Sequence, residues 1–260
     1  MLALPGAMLL AGGVLPAVAQ TIHLFERGAP SIAEFDADGG YRIPDGDWSR
    51  YRAWMARGAP LSKLVTAFID SGVLSEHPYI KPVLAKSIDL TGEGPEDRIG
   101  HGTFVTLIFL MTAGEVVGPV ISIKVAGTTT PSDPEILVKA LDRAGIEGAN
   151  VVNVSAGVFL ECGNARDPAR SPYIQSCDET PICAAVTALE KKHTITIAAV
   201  GNTPGKTACP ACCKDAIAVG AADENGKPAP YSGDFADILA PGNFGSVPID
   251  RGVKPRAVTP

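Results

Sequence analysis

Three polar side chains of the sequence could together perform acid–base and acyl-transfer chemistry. Asp70 follows the apolar run 64–69, His101 stands between two glycines before an apolar stretch, and Asn202 comes shortly after the run 194–200. An imidazole can take the proton of a weak nucleophile, and a carboxylate can orient that imidazole. A side-chain amide can stabilise an oxyanion by donating a hydrogen bond to it. These three residues are therefore our candidates for a catalytic site.

Each candidate also has an ordinary structural explanation when it is considered alone. A sequence such as Asp70-Ser71-Gly72 is typical of a turn, and an asparagine after a strand is a common turn residue. A single histidine before a helix is more often a cap or a core residue than a base. The chemical interpretation therefore depends on the order and spacing of all three, and on elements that bring them to one place.

Five short apolar runs predict the strands that would carry these residues. The runs have no polar alternation, which is typical of strands that are covered on both faces. They span residues 64–69, 120–125, 151–154, 194–200 and 216–219. Two of them lead directly to Asp70 and towards Asn202, so we expect both side chains to follow the carboxyl ends of their strands.

Helical patterns lie between these runs. Residues 137–144 carry one apolar stripe, with a capping oxygen from Ser132 or Asp133 and with Pro134 at the first helical position. A second stripe covers 182–189, and 101–111 forms a uniformly apolar helix. Because strand and helix alternate, we predict an α/β fold in which a parallel sheet is flanked by helices on both faces. Ligands of such folds bind beyond the carboxyl ends of the strands.

Several segments, taken in order, resemble the motifs of the subtilisin-like serine peptidases (subtilases, peptidase family S8). The resemblance covers about residues 60–246 and is specific because every segment falls in the family's order. The matching segments are Asp70-Ser71-Gly72, Gly100-His101-Gly102-Thr103, the stretch 152–157, Ala199-Val200-Gly201-Asn202, the stretch 216–223, Tyr231-Ser232-Gly233 and Leu239-Ala240-Pro241-Gly242.

The resemblance implies a subtilisin-like serine endopeptidase that hydrolyses peptide bonds through an Asp-His-Ser triad. Asp70 and His101 would belong to the triad, and Asn202 would donate to the oxyanion. The segment Ser155-Ala156-Gly157 would bind an extended peptide substrate by strand addition. Its partners would be protein or peptide substrates.

No cofactor is expected to be required, and no metal ligand is assigned. Calcium is common in the family and stays possible here, because four acidic residues cluster within a short stretch. We interpret that stretch as a solvated loop. The residues are Asp89, Glu93, Glu96 and Asp97.

The catalytic serine of the family has no counterpart in this sequence. It would lie in a Gly-Thr-Ser segment after the Ala-Pro-Gly turn, at the start of a core helix, and no such segment follows Gly242. Ser232 and Ser246 match framework positions instead. We therefore expect an incomplete peptidase domain that lacks the C-terminal core helix, as in a truncated, frameshifted or split enzyme. The alternative is a non-catalytic pseudopeptidase that binds extended peptides.

The sequence predicts four regions. Residues 1–20 are uncharged and end in a small-x-small pattern, so they form a possible signal peptide, which favours a secreted or periplasmic protein. The alternative is an apolar N-terminal segment or a wrongly placed start, because the segment has no basic residue. Residues 21–60 are a leader or N-terminal arm, 61–247 the peptidase domain, and 248–260 a tail. The apolar start is too short and too rich in glycine and proline for a stable membrane span. A net charge of −6 gives no basic surface for a nucleic acid.

All six cysteines lie between Cys162 and Cys213. An even number in an exported chain favours disulfides, with fifteen possible connectivities. Free buried thiols are the next alternative. A metal site at Cys209-Pro-Ala-Cys212 is the last, because the sequence offers no second pair at matching spacing.

Overall fold

The computed structural model describes residues 63–113, 117–162, 176–223 and 226–242, together with the backbone of a few short strands outside these ranges. Those short strands form two antiparallel pairs. Strand β1 (Gln20–His23) pairs with β11 (Ser246–Ile249), and β2 (Glu34–Phe35) pairs with β3 (Tyr41–Arg42). The first pair crosses the region boundaries predicted at residues 20 and 247. The rest of the predicted signal peptide, leader and tail lies outside the described residues.

The central element is a seven-stranded sheet in which every neighbouring pair is parallel. Its spatial order is β10-β9-β8-β7-β4-β6-β5. The strands are β4 (Thr66–Asp70), β5 (Leu84–Asp89), β6 (Val120–Lys124), β7 (Val151–Val154), β8 (Ile195–Ala199), β9 (Ala216–Ala222) and β10 (Ile238–Pro241). The parallel sheet predicted from the apolar runs is therefore confirmed.

Three α-helices connect the strands of the sheet: α1 (His101–Ala113), α2 (Pro134–Ile146) and α3 (Pro181–Glu190). A short 3₁₀ helix, Cys177–Glu179, precedes α3. Helix α2 begins as predicted, because the Asp133 carboxylate accepts a hydrogen bond from the backbone of Ile136 at 2.8 Å and proline follows it. All three helices lie where the sequence predicts them.

The helices cover both faces of the sheet, and the alternation of side chains along β4 shows how. Ala67 and Ile69 pack in a core with the buried stripes of α2 and α3. Phe68 points to the opposite face and packs with Val105 of α1, where its ring also meets that of Phe109 edge-on. A sheet covered in this way leaves its carboxyl edge as the place for a site.

The five predicted strands are the inner strands of the sheet, and two further strands were missed. These two, β5 and β10, are the edge strands on opposite sides. Helix α1 runs two residues beyond the predicted end at residue 111. Among the described residues, no helix combines the length and the apolar character that crossing a bilayer requires.

The six cysteines form three disulfides, in agreement with the favoured prediction of disulfides over free thiols. The pairs are Cys162–Cys177, Cys183–Cys213 and Cys209–Cys212. The backbone of Cys209 also forms an isolated antiparallel bridge with Val158. The disulfide-bonded segment is thereby attached to the chain that continues from β7.

Candidate active site

Asp70 and His101 meet at the carboxyl edge of the sheet. Asp70 is the last residue of β4 and His101 the first of α1, and the two side chains are almost fully buried. The imidazole Nδ1 lies 2.5 Å from the carboxylate Oδ1 of Asp70. This contact fixes the tautomer in which the other ring nitrogen, Nε2, can accept a proton.

The close approach of the two elements depends on Gly102. A Cβ atom at this position would lie 2.2 Å from the carbonyl oxygen of Gly72 and 3.0 Å from the Cβ of Asp70. No side chain fits between the first turn of α1 and the turn that follows β4. The glycine of the Gly-His-Gly-Thr motif is thus a packing requirement of the Asp70–His101 contact.

The charge of His101 is controlled by its carboxylate neighbours. Burial alone would lower the pKa of His101, but the charge and the hydrogen bond of Asp70 act in the other direction, and Asp97 adds to them. The pKa of His101 is raised as a result. An imidazolium formed during a reaction would be stabilised by the same two carboxylates.

The Nε2 atom of His101 is buried and, within the described part of the chain, has no hydrogen-bond partner. A buried ring nitrogen without a partner is costly to a fold and is typical of a functional site. In chemical terms, His101 has one nitrogen held by Asp70 and one available to a proton donor such as a hydroxyl.

Of the two late serines of the sequence, Ser232 does not supply that donor in the structure. The Ser232 hydroxyl is buried, accepts a hydrogen bond from the backbone of Ala221 at 3.1 Å and donates to the carbonyl of Gly233 at 3.0 Å. It therefore has the framework role expected of it. Ser246 lies in β11, whose side chains are outside the described residues.

The segment 155–157 follows β7, which adjoins β4, and Asn202 follows β8, the next strand beyond β7. Because the strands are parallel, the sheet order β8-β7-β4 places the end of β8, which leads to Asn202, and the end of β7, which leads to Ser155, at the same edge of the sheet as Asp70. The Oδ1 atom of Asn202 is buried and has no partner among the described residues. Gly201, with φ of +90°, makes the turn that directs this residue away from β8.

The segment Ser155-Ala156-Gly157 lies between β7 and the Val158–Cys209 bridge and belongs to no strand. Ser155 accepts a hydrogen bond from the side chain of Asn153 at 2.9 Å. A Cβ at Gly157 would lie 3.0 Å from the side chain of Ala208, so the small residue is needed for packing against the neighbouring segment.

Of the four clustered acidic residues, Asp97 departs from the solvated loop that we expected, whereas Glu96 is exposed and Asp89 and Glu93 are partly exposed. Asp97 is 2% exposed, and the others are bound to separate partners within the protein. Asp89 accepts from Thr91 and Gly94, Glu93 from residues 128–130, and Glu96 from Ser75. Among the described residues, only cysteines cluster closely enough to be metal-ligand groups, and those are disulfide-bonded. Calcium stays an untested expectation.

Two buried charged residues near the site were missed as functional candidates. Lys124, at the end of β6, is fully buried and donates to the carbonyl of Glu96 at 2.8 Å. Asp97 stands four residues before His101, and its carboxylate binds the start of α1. The spacing of Asp97 from the histidine motif was the only sequence signal that could have identified it.

Comparisons with known proteins relate the chain to one family. Residues 62–259 match the model of the subtilase family. The chain is 29% identical over 225 residues to the nisin leader peptide-processing serine protease NisP of Lactococcus lactis subsp. lactis, with 69% of this chain and 32% of that protein covered. It is also 29% identical over 197 residues to Subtilisin Savinase of Lederbergia lenta, with 72% and 66% covered.

A solved structure shows the same architecture. The prenylagaramide maturation protease PagA superposes with a TM-score of 0.54 at 26% identity, over 77% of this chain and 73% of that one. The two curated relatives are longer, and the chain spans between about a third and two thirds of their length.

Proposed function

The chain belongs to the subtilase family of serine peptidases, and we propose that it contributes the base, the base-orienting carboxylate and the oxyanion donor of a serine endopeptidase. One observation carries the proposal. The Nδ1 atom of His101 is hydrogen-bonded to Asp70, whereas its buried Nε2 atom has no hydrogen-bond partner in the described part of the chain. This is the state of a base that is ready to receive the proton of a hydroxyl.

In the proposed mechanism, His101 takes the proton of a serine hydroxyl as the oxygen attacks the peptide carbonyl. Asp70 keeps the ring oriented and stabilises the imidazolium. The Nδ2 group of Asn202 donates to the oxyanion of the tetrahedral intermediate, and the imidazolium then protonates the leaving amine. The mechanism needs a nucleophilic serine in addition to the described residues, since none of them contacts Nε2.

The substrate is proposed to bind as an extended strand along Ser155-Ala156-Gly157. The backbone there is outside any strand, and Ala156 and Gly157 carry small or no side chains, which leaves room for a second chain. NisP and PagA are processing or maturation proteases by name. We therefore propose precursor peptides with leader segments as the first substrate class to test, and an exported protein as the setting suggested by residues 1–20 and the three disulfides.

The proposal is tested by peptide hydrolysis with the natural protein and its Asp70→Asn variant. Asparagine keeps the size of the side chain but favours the wrong tautomer of His101, so kcat should fall by about 10⁴-fold. Asp142→Asn, which changes an exposed carboxyl on α2, is the matched control and should retain full activity. Equal activity of Asp70→Asn and the natural protein would refute the proposal. Peptide binding without turnover by the natural protein would favour the pseudopeptidase.

A further inference from the structure

Asp97 is a buried carboxylate to which the proposed mechanism gives no role. It accepts five hydrogen bonds, each between 2.7 and 3.0 Å long. The donors are the backbone N–H groups of Ile99, Gly100 and Thr103 and the hydroxyls of Ser71 and Thr103. Every one of these groups donates to Asp97, so the carboxylate acts only as an acceptor. Burial raises the pKa of Asp97, and the hydrogen bonds from Thr103 and Gly100 act in the other direction and favour its ionised form.

The donors belong to the two segments that carry the candidate triad residues. Ser71 follows Asp70 directly, and Thr103 lies in the first turn of α1, which begins with His101. The Ser71 hydroxyl also accepts a hydrogen bond from the backbone of Gly102 at 3.0 Å. A chain of hydrogen bonds thus runs from Asp97 through Ser71 to Gly102 and connects the end of β4 to the start of α1.

Asp97 is itself fixed from the side of the sheet. Its backbone N–H donates to the carbonyl of Val73 at 3.2 Å. The preceding residue, Glu96, has its carbonyl oxygen bound by the fully buried Lys124, which is the register partner of Asp70 in β6. The carboxylate therefore has a defined position relative to the strand that ends in Asp70.

We propose that Asp97 is a positioning residue, which holds the His101 ring in line with Asp70 by way of Ser71 and the first turn of α1. The catalytic meaning of this inference rests on the proposed function. Asp97 acts through other groups and not on a reacting atom. Because a catalytic group must be held close to its productive geometry, a small displacement of α1 relative to β4 would impair the base.

The charge of Asp97 gives this role a measurable signature. Burial alone would lower the pKa of His101; Asp70 and then Asp97 raise it. Among the described residues, these two carboxylates are the charged groups that shift the pKa of the imidazole. A variant without the Asp97 charge should therefore show a lower pKa of His101, whereas the loss of a purely structural cap would not change it.

The test is histidine NMR on the 260-residue chain carrying Asp97→Asn. The pKa of His101 is read from a pH titration, and the His101–Asp70 hydrogen bond from its strongly deshielded proton. We expect the pKa of His101 to fall and the proton signal to be lost. Asp133→Asn, which alters the cap of α2 away from the site, is the matched control and should leave both readouts unchanged.

Ser71→Ala keeps the test decisive if Asp97→Asn does not fold. This variant removes the link to Gly102 but leaves Asp97 with its other four hydrogen bonds, so the fold should persist. The deshielded proton should again be lost. The proposal would be overturned if the folded variants kept the wild-type signal of the His101–Asp70 proton. It would also be overturned if Asp97→Asn had a lowered melting temperature but an unchanged pKa of His101.

The outcome is separable from that of the proposed function, because the NMR measurement needs no serine. If the natural protein showed no peptidase activity while both variants changed the His101 signals, the function would be rejected and the positioning of His101 by Asp97 retained. If the natural protein were active and the signals did not change, only the positioning role would be rejected.

Discussion

The protonation of His101 sets the pH range in which the proposed base can work. A general base must be neutral to take a proton, and the Asp70 and Asp97 carboxylates outweigh burial and raise the pKa of this imidazole. The base form therefore becomes dominant only above the ordinary histidine range, which is centred near pH 6.5. On this account a peptidase built on the site works best at neutral to alkaline pH.

The same interaction predicts how stability depends on pH. The folded protein holds the His101 proton more tightly than the unfolded chain, so the gain in stability is complete below about pH 6.5 and is lost as the pH rises through the raised pKa. The free energy of unfolding of the wild type, minus that of His101→Gln, should decline over this interval in urea denaturation experiments.

The control for this prediction is His193→Asn, which replaces an exposed histidine with positive φ by a residue that tolerates that conformation. It tests whether the pH dependence of the free energy of unfolding is specific to His101. The raised pKa of His101 would be contradicted if the free energy of unfolding of the wild type, minus that of His101→Gln, stayed constant or grew with rising pH.

At the scale of residues, the sequence was informative where the residues of a short motif determine the position of a side chain. Asp70 and His101 were predicted from the residues around them, and the structure brings them into contact. Asp97 was wrongly predicted to lie in a solvated loop, because it stands between Glu96 and Arg98, and such a run of charged residues is typical of a surface turn. Its burial depends on donors from Ser71 and Thr103, which only the folded chain brings together.

At the scale of structural elements, the disulfides close loops of very different length. Cys183–Cys213 spans 30 residues and Cys209–Cys212 only 3. The chain-entropy account gives about 3.6 kcal/mol for the longer loop and about 1.6 kcal/mol for the shorter. Replacing both cysteines of the longer loop by alanine should therefore cost more stability than replacing both of the shorter.

Urea denaturation of the two double variants measures this difference. The two variants are matched, because each replaces two buried cysteines by alanine. A larger loss for the Cys209 and Cys212 variant would contradict the prediction. It would show that the packing of that pair against Val158 and the segment 155–157 outweighs loop closure.

The two missed strands have a common physical cause. β5 and β10 are the edges of the sheet and are covered less completely than the inner strands. β5 includes the exposed Lys86, which pairs with Glu147, and β10 begins with Ile238 at 53% exposure. Apolar runs identify strands that are buried on both faces, so this signal is absent at an edge. The disulfide pairing could not be predicted from the sequence either, since six cysteines allow fifteen connectivities.

At the scale of the whole molecule, the parallel order of the strands explains how distant sequence segments reach the same edge of the sheet. Asp70, Ser155 and Asn202 lie in or after β4, β7 and β8, which are consecutive in the sheet although far apart in the chain. The alternation of strands and helices predicted this edge as the site. It did not predict which strands would be neighbours, because strand order depends on long-range packing.

The central claim is that His101 serves as the base for a serine nucleophile in the natural protein. It is tested most directly by intact mass spectrometry after treatment with a fluorophosphonate, which modifies only an activated serine. The account predicts one covalent adduct on a serine other than Ser232 and Ser246, and its loss in His101→Ala. A folded natural protein that acquires no adduct, or an adduct that persists in His101→Ala, would contradict the account.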